Sequence, residues 1–221
     1  VTDRTRARAL AAEALARNDA VGWFEPLYAA AARGEATVPW DDRVPNPHVV
    51  AWLDRESPPP GRALDVGTGR GDTAEALAVR GHRVVAFDVS PSAIDQARRR
   101  FPASAVRWAV ADVLSPPAEW DAAFDLVVEC YTLQVLPPSA RGRVIDALRR
   151  FVAPGGTLLV VARGREPDEP AGEMPWPLTR AEVEAVADAG LALVALEDFR
   201  DAEEPPVRRF RATFRRPRAP R

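Results

Sequence analysis

The residues best placed to do chemistry in this 221-residue chain are three aspartates and a cluster of glycines. In Leu64-Asp65-Val66-Gly67-Thr68-Gly69-Arg70-Gly71-Asp72 a strand-like run leads into a glycine turn, and a helix-like run follows. Glycines let such a turn close tightly and bring bare backbone up to a ligand. A lone turn of this kind suits a dinucleotide-binding fold equally well. Position 72, however, is Asp where the dinucleotide pattern wants glycine, and Asp65 sets a carboxylate just ahead of the turn. Negative charge there repels a pyrophosphate and attracts a cation. Asp88, 21 residues beyond Gly67, ends the next apolar run, where an acid accepts hydrogen bonds from both hydroxyls of a ribose. Both cofactor classes share that feature. Ala111-Asp112-Val113 ends a third run, and its carboxylate is placed to accept a bond from an exocyclic adenine amine.

Composition narrows the alternatives. All 30 basic residues are Arg, so Schiff-base chemistry, a Walker lysine and a lysine general base are excluded. Cys130 is the only cysteine, and His48 and His82 are the only histidines. That excludes a disulfide framework and a zinc site with several Cys or His ligands, and no metal is expected. The net charge is -2. No stretch approaches the ~20 apolar residues of a membrane span, and the charged start of the chain lacks a signal-peptide pattern. The expected location is therefore the cytoplasm, with no membrane partner. The C-terminal arginines (Arg208, Arg209, Arg211, Arg215, Arg216, Arg218, Arg221) alternate with Phe210, Ala212 and Phe214, as on an edge strand with a solvated face. With no nucleic-acid-binding module in the sequence, nucleic acid is not an expected partner. Nothing in the sequence decides the oligomeric state.

The elements that must position these residues follow a changing pattern. Thr5–Arg17 and Trp23–Ala32 have helical spacing, and 34–48 carries three prolines in an irregular loop. A short helix is expected over Val49–Leu53. The rigid Ser57-Pro58-Pro59-Pro60-Gly61 run then divides an N-terminal helical lid (1–57) from a core (58–221). Strands over Ala63–Val66, Val84–Asp88, Val106–Val110, Leu126–Glu129 and Thr157–Ala162 alternate with helices over Thr73–Arg80, Pro91–Phe101 and Ser139–Phe151. Such alternation predicts an α/β fold around a mostly parallel, doubly wound sheet. A helix over Thr179–Ala189 and an antiparallel pair, Leu191–Leu196 with Val207–Phe214, close the chain.

Four segments, ALDVGTGRGD, VVAFDVSPSAIDQAR, AVADVL and LRRFVAPGGTLLVV, together resemble the class I S-adenosylmethionine-dependent methyltransferases. The resemblance runs from Arg62 to about Ala162. It implies a Rossmann-like seven-stranded sheet ordered 3-2-1-4-5-7-6 with an antiparallel seventh strand, and S-adenosyl-L-methionine as cofactor. It also implies Asp88, beside Val89, at the ribose, and Ala111, Asp112 and Val113 at the adenine. Asp65, Gly67, Thr68 and Gly69 would lie at the methionine end. A looser resemblance, through Trp23-Phe24-Glu25-Pro26-Leu27-Tyr28 and Val38-Pro39-Trp40-Asp41, is to the N-terminal lid of thiopurine S-methyltransferase-like enzymes. It makes Trp40 a lid residue over the cofactor, whereas Trp23 and Tyr28 serve equally well to dock a helix.

A sulfonium already activates its methyl group, so few catalytic residues are expected and none is assigned. The acceptor, a small molecule methylated on O, N or S, is expected near Tyr131, Gln134, Arg163 and Trp176. Gln134 cannot act as a base. Glu129 is open to two readings, a base or an anchor for the cofactor's amino group. The competing functions are a dinucleotide-dependent oxidoreductase and a non-catalytic cofactor-binding subunit.

Overall fold

The computed structural model describes residues 4–188 and 190–218. Three helices precede the sheet: α1 (Thr5–Ala16), α2 (Phe24–Ala32) and α3 (Pro47–Glu56). Helix α3 is longer than the sequence pattern suggests. Asn46 caps it by accepting from the His48 and Val49 amides, Pro47 fits its first turn, and Ser57 ends it in the left-handed region. Then follow β1 (Arg62–Val66), α4 (Asp72–Ala78), β2 (Arg83–Asp88), α5 (Pro91–Arg100), β3 (Arg107–Val110), β4 (Phe124–Cys130), α6 (Pro138–Phe151), β5 (Val152–Arg163), α7 (Arg180–Glu184), β6 (Ala192–Arg200) and β7 (Arg208–Arg215).

The seven strands form one sheet in the order β3-β2-β1-β4-β5-β7-β6. Strands β1 to β5 pair in parallel, and β7 runs antiparallel to both neighbours. Side chains alternate across this sheet. Leu64, Val66, Val127, Leu158, Val160, Phe210 and Phe214 pack on one face with Val144, Leu148 and Phe151 of α6. Ala63, Val84, Leu126, Val128, Leu159 and Val161 pack on the other with Ala74 and Leu77 of α4 and with Val49, Trp52 and Leu53 of α3. Trp52 also donates to the Thr213 hydroxyl at 2.9 Å, so α3 is a layer of the core, while α1 and α2 form a separate cluster with Val38, Ala93, Val135 and Met174.

Two expectations are corrected. Helix α7 stops at Glu184, well short of Ala189, a position outside the described residues. The Arg149 guanidinium takes the carbonyls of Ala185, Val186 and Ala187, which would otherwise serve a continuing helix. Strand β7 is not an edge with a solvated face, because β6 covers it on the outer side. Its charged residues Arg209 and Arg211 are buried and paired with Asp201, Glu203 and Glu197.

Candidate active site

The sheet order reverses between β1 and β4, opening a crevice at the carboxyl ends of the strands. A cavity of about 460 Å³ lies there, beneath the first two helices. At one end it is floored by the turn from β1 to α4, where Gly67 and Gly69 adopt φ of +63° and +56°. A side chain on Gly67 would collide with the Thr132 hydroxyl, and one on Gly69 would come within 2.8 Å of the Tyr28 hydroxyl oxygen. The floor is therefore bare backbone by necessity. Asp72, where a dinucleotide turn would carry glycine, sits in the first turn of α4 and pairs with Arg100.

Asp65, Asp88 and Asp112 line this end. Asp65 accepts from the Thr68 hydroxyl at 2.6 Å, and burial pushes its pKa up to about 7. Asp88 accepts the Gly69 amide on one oxygen and the Ser90 amide on the other, each at 2.9 Å, and lines the cavity. Burial raises its pKa to about 6, and those backbone bonds oppose the rise only in part. Asp112 accepts from the Leu114 amide at 2.8 Å. Thr68, Val89, Ala111 and Val113 line the cavity beside them. This group of acids fits hydroxyls, an amine and a cation, which are the groups a sulfonium nucleoside presents.

The roof is tied to this floor. Glu25 of α2 accepts the Ser90 and Ser92 hydroxyls at 2.6 and 2.7 Å and the Ser92 amide at 3.0 Å. Burial opposes its charge, yet these bonds outweigh burial and hold its carboxyl below the usual range. Trp23 stacks on Phe24 at 3.9 Å, and both meet the edge of Trp40. The Trp40 indole N–H donates to the buried Tyr28 hydroxyl at 3.0 Å. Asp41, next along the loop, pairs with Arg70 of the glycine turn. Trp40 thus lines the cavity, and Trp23 is wholly buried in the docking cluster.

The other end is assembled from distant segments. Tyr131 follows β4 with φ of +70°, a costly conformation for a bulky residue, and its amide is held by the Val161 carbonyl at 3.0 Å. The Arg209 guanidinium lies 4.9 Å from its ring centroid. The Gln134 side-chain oxygen accepts the Arg163 amide at 2.6 Å, and its carbonyl accepts the Trp176 amide at 2.7 Å, so Gln134 braces two loops. Tyr131, Gln134 and Arg163 line the cavity together with Arg4, Asn46, Glu203 and Arg209.

Glu129 and Trp176 do not line it. Glu129 lies wholly buried beneath, where one oxygen takes the Thr132 and Leu133 amides and burial lifts its pKa to about 7. Trp176 packs against the α1–α2 cluster, and its neighbours Met174 and Pro175 reach the cavity instead. Burial pushes the Cys130 thiol far above its ordinary value, which leaves it a poor nucleophile. Sequence reasoning missed Arg209 and Glu203. The available signal was acids at 197, 198, 201, 203 and 204 just before the arginines, a pattern of strand-to-strand pairing.

Fold and site define a Rossmann-like domain that takes a nucleoside cofactor at the carboxyl edge of its sheet. A family described as a methyltransferase domain matches residues 63–156. A probable thiol methyltransferase of Arabidopsis thaliana is 26% identical over 174 residues, covering 78% of this chain and 74% of that one. A 2-heptyl-1-hydroxyquinolin-4(1H)-one methyltransferase of Mycobacteroides abscessus is 26% identical over 172 residues, covering 74% and 75%. The solved N-methyltransferase NodS of Bradyrhizobium japonicum, in complex with S-adenosylhomocysteine, superposes with a TM-score of 0.67 at 25% identity, covering 86% of this chain and 98% of that one. These likenesses support a class I S-adenosylmethionine-dependent methyltransferase with S-adenosylmethionine as cofactor. Among the described residues no helix is long and apolar enough to cross a membrane.

Proposed function

We propose that this enzyme, working in the cytoplasm, transfers the methyl group of S-adenosylmethionine to an O, N or S atom of a small molecule. The Asp88 carboxylate carries the reading. Its two oxygens are fixed by separate backbone amides at the crevice, where a carboxylate takes the two hydroxyls of a ribose. From that anchor Asp112 faces the adenine amine, and Asp65 with the Gly67–Gly69 backbone faces the methionine end. Trp40, braced on Tyr28, covers the cofactor from above. The relatives support a small acceptor while differing in the atom methylated, since their names specify a thiol, a hydroxyquinolone and an N-methylation.

When bound, S-adenosylmethionine supplies a methyl group already activated by its sulfonium. The chain's part is positioning, exclusion of water and charge complementarity. Tyr131 is held rigidly at the open side of the glycine turn, where it orders the acceptor against the methyl group. Gln134 fixes the strand ends behind it.

Calorimetric titration with S-adenosylhomocysteine, with NAD and NADP as controls, tests the reading. Micromolar binding of the nucleoside alone is expected. Preference for a nicotinamide cofactor would contradict it.

A further inference from the structure

The acceptor end carries more positive charge than it uses. Arg4, Arg163 and Arg209 line it, and the carboxylates facing them are Glu203 and Asp201. His48, 3.8 Å from Asp201, adds no charge at neutral pH, because burial and then Arg209 hold its pKa below the ordinary value. Arg209 is 2% exposed and pairs with both acids, yet its Nη1 is buried with no hydrogen-bond partner among the described residues. A buried donor left unmade is costly. The Arg163 side chain is 18% exposed, and its nearest carboxylate, Glu203, stands at 3.6 Å, beyond hydrogen-bonding distance. Burial, then the nearby Arg4 and Arg209 charges, depress its pKa. Arg163 and Arg209 thus line one cavity, Arg163 with guanidinium donors that take no carboxylate within hydrogen-bonding distance among the described residues, and a planar fork of N–H donors matches the oxygens of a carboxylate.

We propose that the acceptor is a small carboxylic acid, whose carboxylate sits on Arg163 and Arg209 while a separate O, N or S atom faces the methyl donor. The proposal deepens the methyltransferase reading and rests on it. In the transfer, a lone pair of the acceptor atom forms the bond to the methyl carbon as the carbon–sulfur bond breaks. That bonding pair stays on sulfur, leaving a neutral thioether, and any proton on the acceptor atom passes to water. The carboxylate is unchanged. Acids at one end of the cavity and arginines at the other orient a cationic donor and an anionic acceptor towards each other.

The test uses the full chain saturated with S-adenosylhomocysteine and three matched pairs: thiosalicylate and thiophenol, 4-hydroxybenzoate and phenol, 4-aminobenzoate and aniline. At least one carboxylate is expected to bind about tenfold or more tightly than its neutral partner, as a charge-assisted pair of bonds requires. Arg163→Gln should erase that difference and leave S-adenosylhomocysteine affinity intact, and Arg163→Lys should restore part of the preference. Equal binding within every pair, no binding of any carboxylate, or a preference that survives Arg163→Gln would overturn the proposal. So would a loss of S-adenosylhomocysteine affinity in Arg163→Gln, since the arginine would then serve the cofactor's own carboxylate. Failure of the unmutated chain to bind S-adenosylhomocysteine would take down the methyltransferase reading and this proposal together.

Discussion

The two ends of the cavity are built in opposite ways. The end assigned to the cofactor comes from the turn after β1, the end of β2 and the end of β3, short segments whose acids are held by the Thr68 hydroxyl and the Gly69, Ser90 and Leu114 amides. The acceptor end joins Arg4, Tyr131, Arg163, Glu203 and Arg209, residues brought together only by the sheet order and the loop from β6 to β7. A ligand common to a whole family is met by local, rigid backbone. A ligand that differs between relatives is met by side chains on separate segments, each free to change without disturbing the turn.

Substitution of Asp88 should separate the two ends most sharply. Each charge-assisted bond to a ribose hydroxyl is worth ~1.5 to 3 kcal/mol, so Asp88→Ala should weaken S-adenosylhomocysteine binding by at least about tenfold. Unchanged affinity in a folded variant would remove the ribose assignment. Next in size is Gly67→Ala, which places a side chain at φ of +63° against Thr132 and should cost ~1 to 3 kcal/mol in thermal unfolding. An unaltered melting temperature would mean that the turn relaxes freely and that the cofactor end is less rigid than drawn.

A pH dependence follows from the same acids. Burial raises the folded-state pKa of Asp65 to about 7 and of Asp88 to about 6, from an ordinary value of 3.8. Between about pH 4 and 7 the folded chain therefore holds more protons than the unfolded one, and stability of the free protein should fall as pH rises through that window. Wholly buried Glu129 acts in the same direction. A cationic cofactor favours the ionised acids, so its affinity should rise over the same range. Melting curves with and without S-adenosylmethionine should diverge towards neutral pH, and Asp65→Asn should flatten the free-protein slope. Parallel curves would contradict the role given to these carboxylates. The smallest effect belongs to Trp40→Phe, which keeps an aromatic ring and deletes the bond to Tyr28. A loss of only a few-fold in cofactor affinity is expected from one neutral hydrogen bond.

The contrast between the two ends also explains what the sequence made legible. Strands β1 to β4 and the turn between β1 and α4 are readable because short apolar runs and glycines act over a few residues, and the sheet order comes with the family resemblance. Arg209 and Arg211 were misread as solvated because alternation alone does not distinguish water from a paired acid on the other side. Here Glu197, Asp201 and Glu203 supply that acid. The early end of α7 was equally hidden, since it depends on Arg149, more than 30 residues away in the chain. Glu129 at the end of β4 and Trp176 in the loop between β5 and α7 carry residue types that suit a site, but packing takes one beneath the cavity and the other beside it.

In the proposed arrangement one cavity holds a nucleoside cofactor at its acidic end and the acceptor at its arginine end. A crystal structure with S-adenosylhomocysteine decides between this and the reverse placement. Both ribose hydroxyls are expected on the Asp88 carboxylate, with the adenine beside Asp112 and the sulfur turned towards Tyr131 and the arginines. A nucleoside lying against Arg163 and Arg209, with Asp88 unengaged, would contradict it.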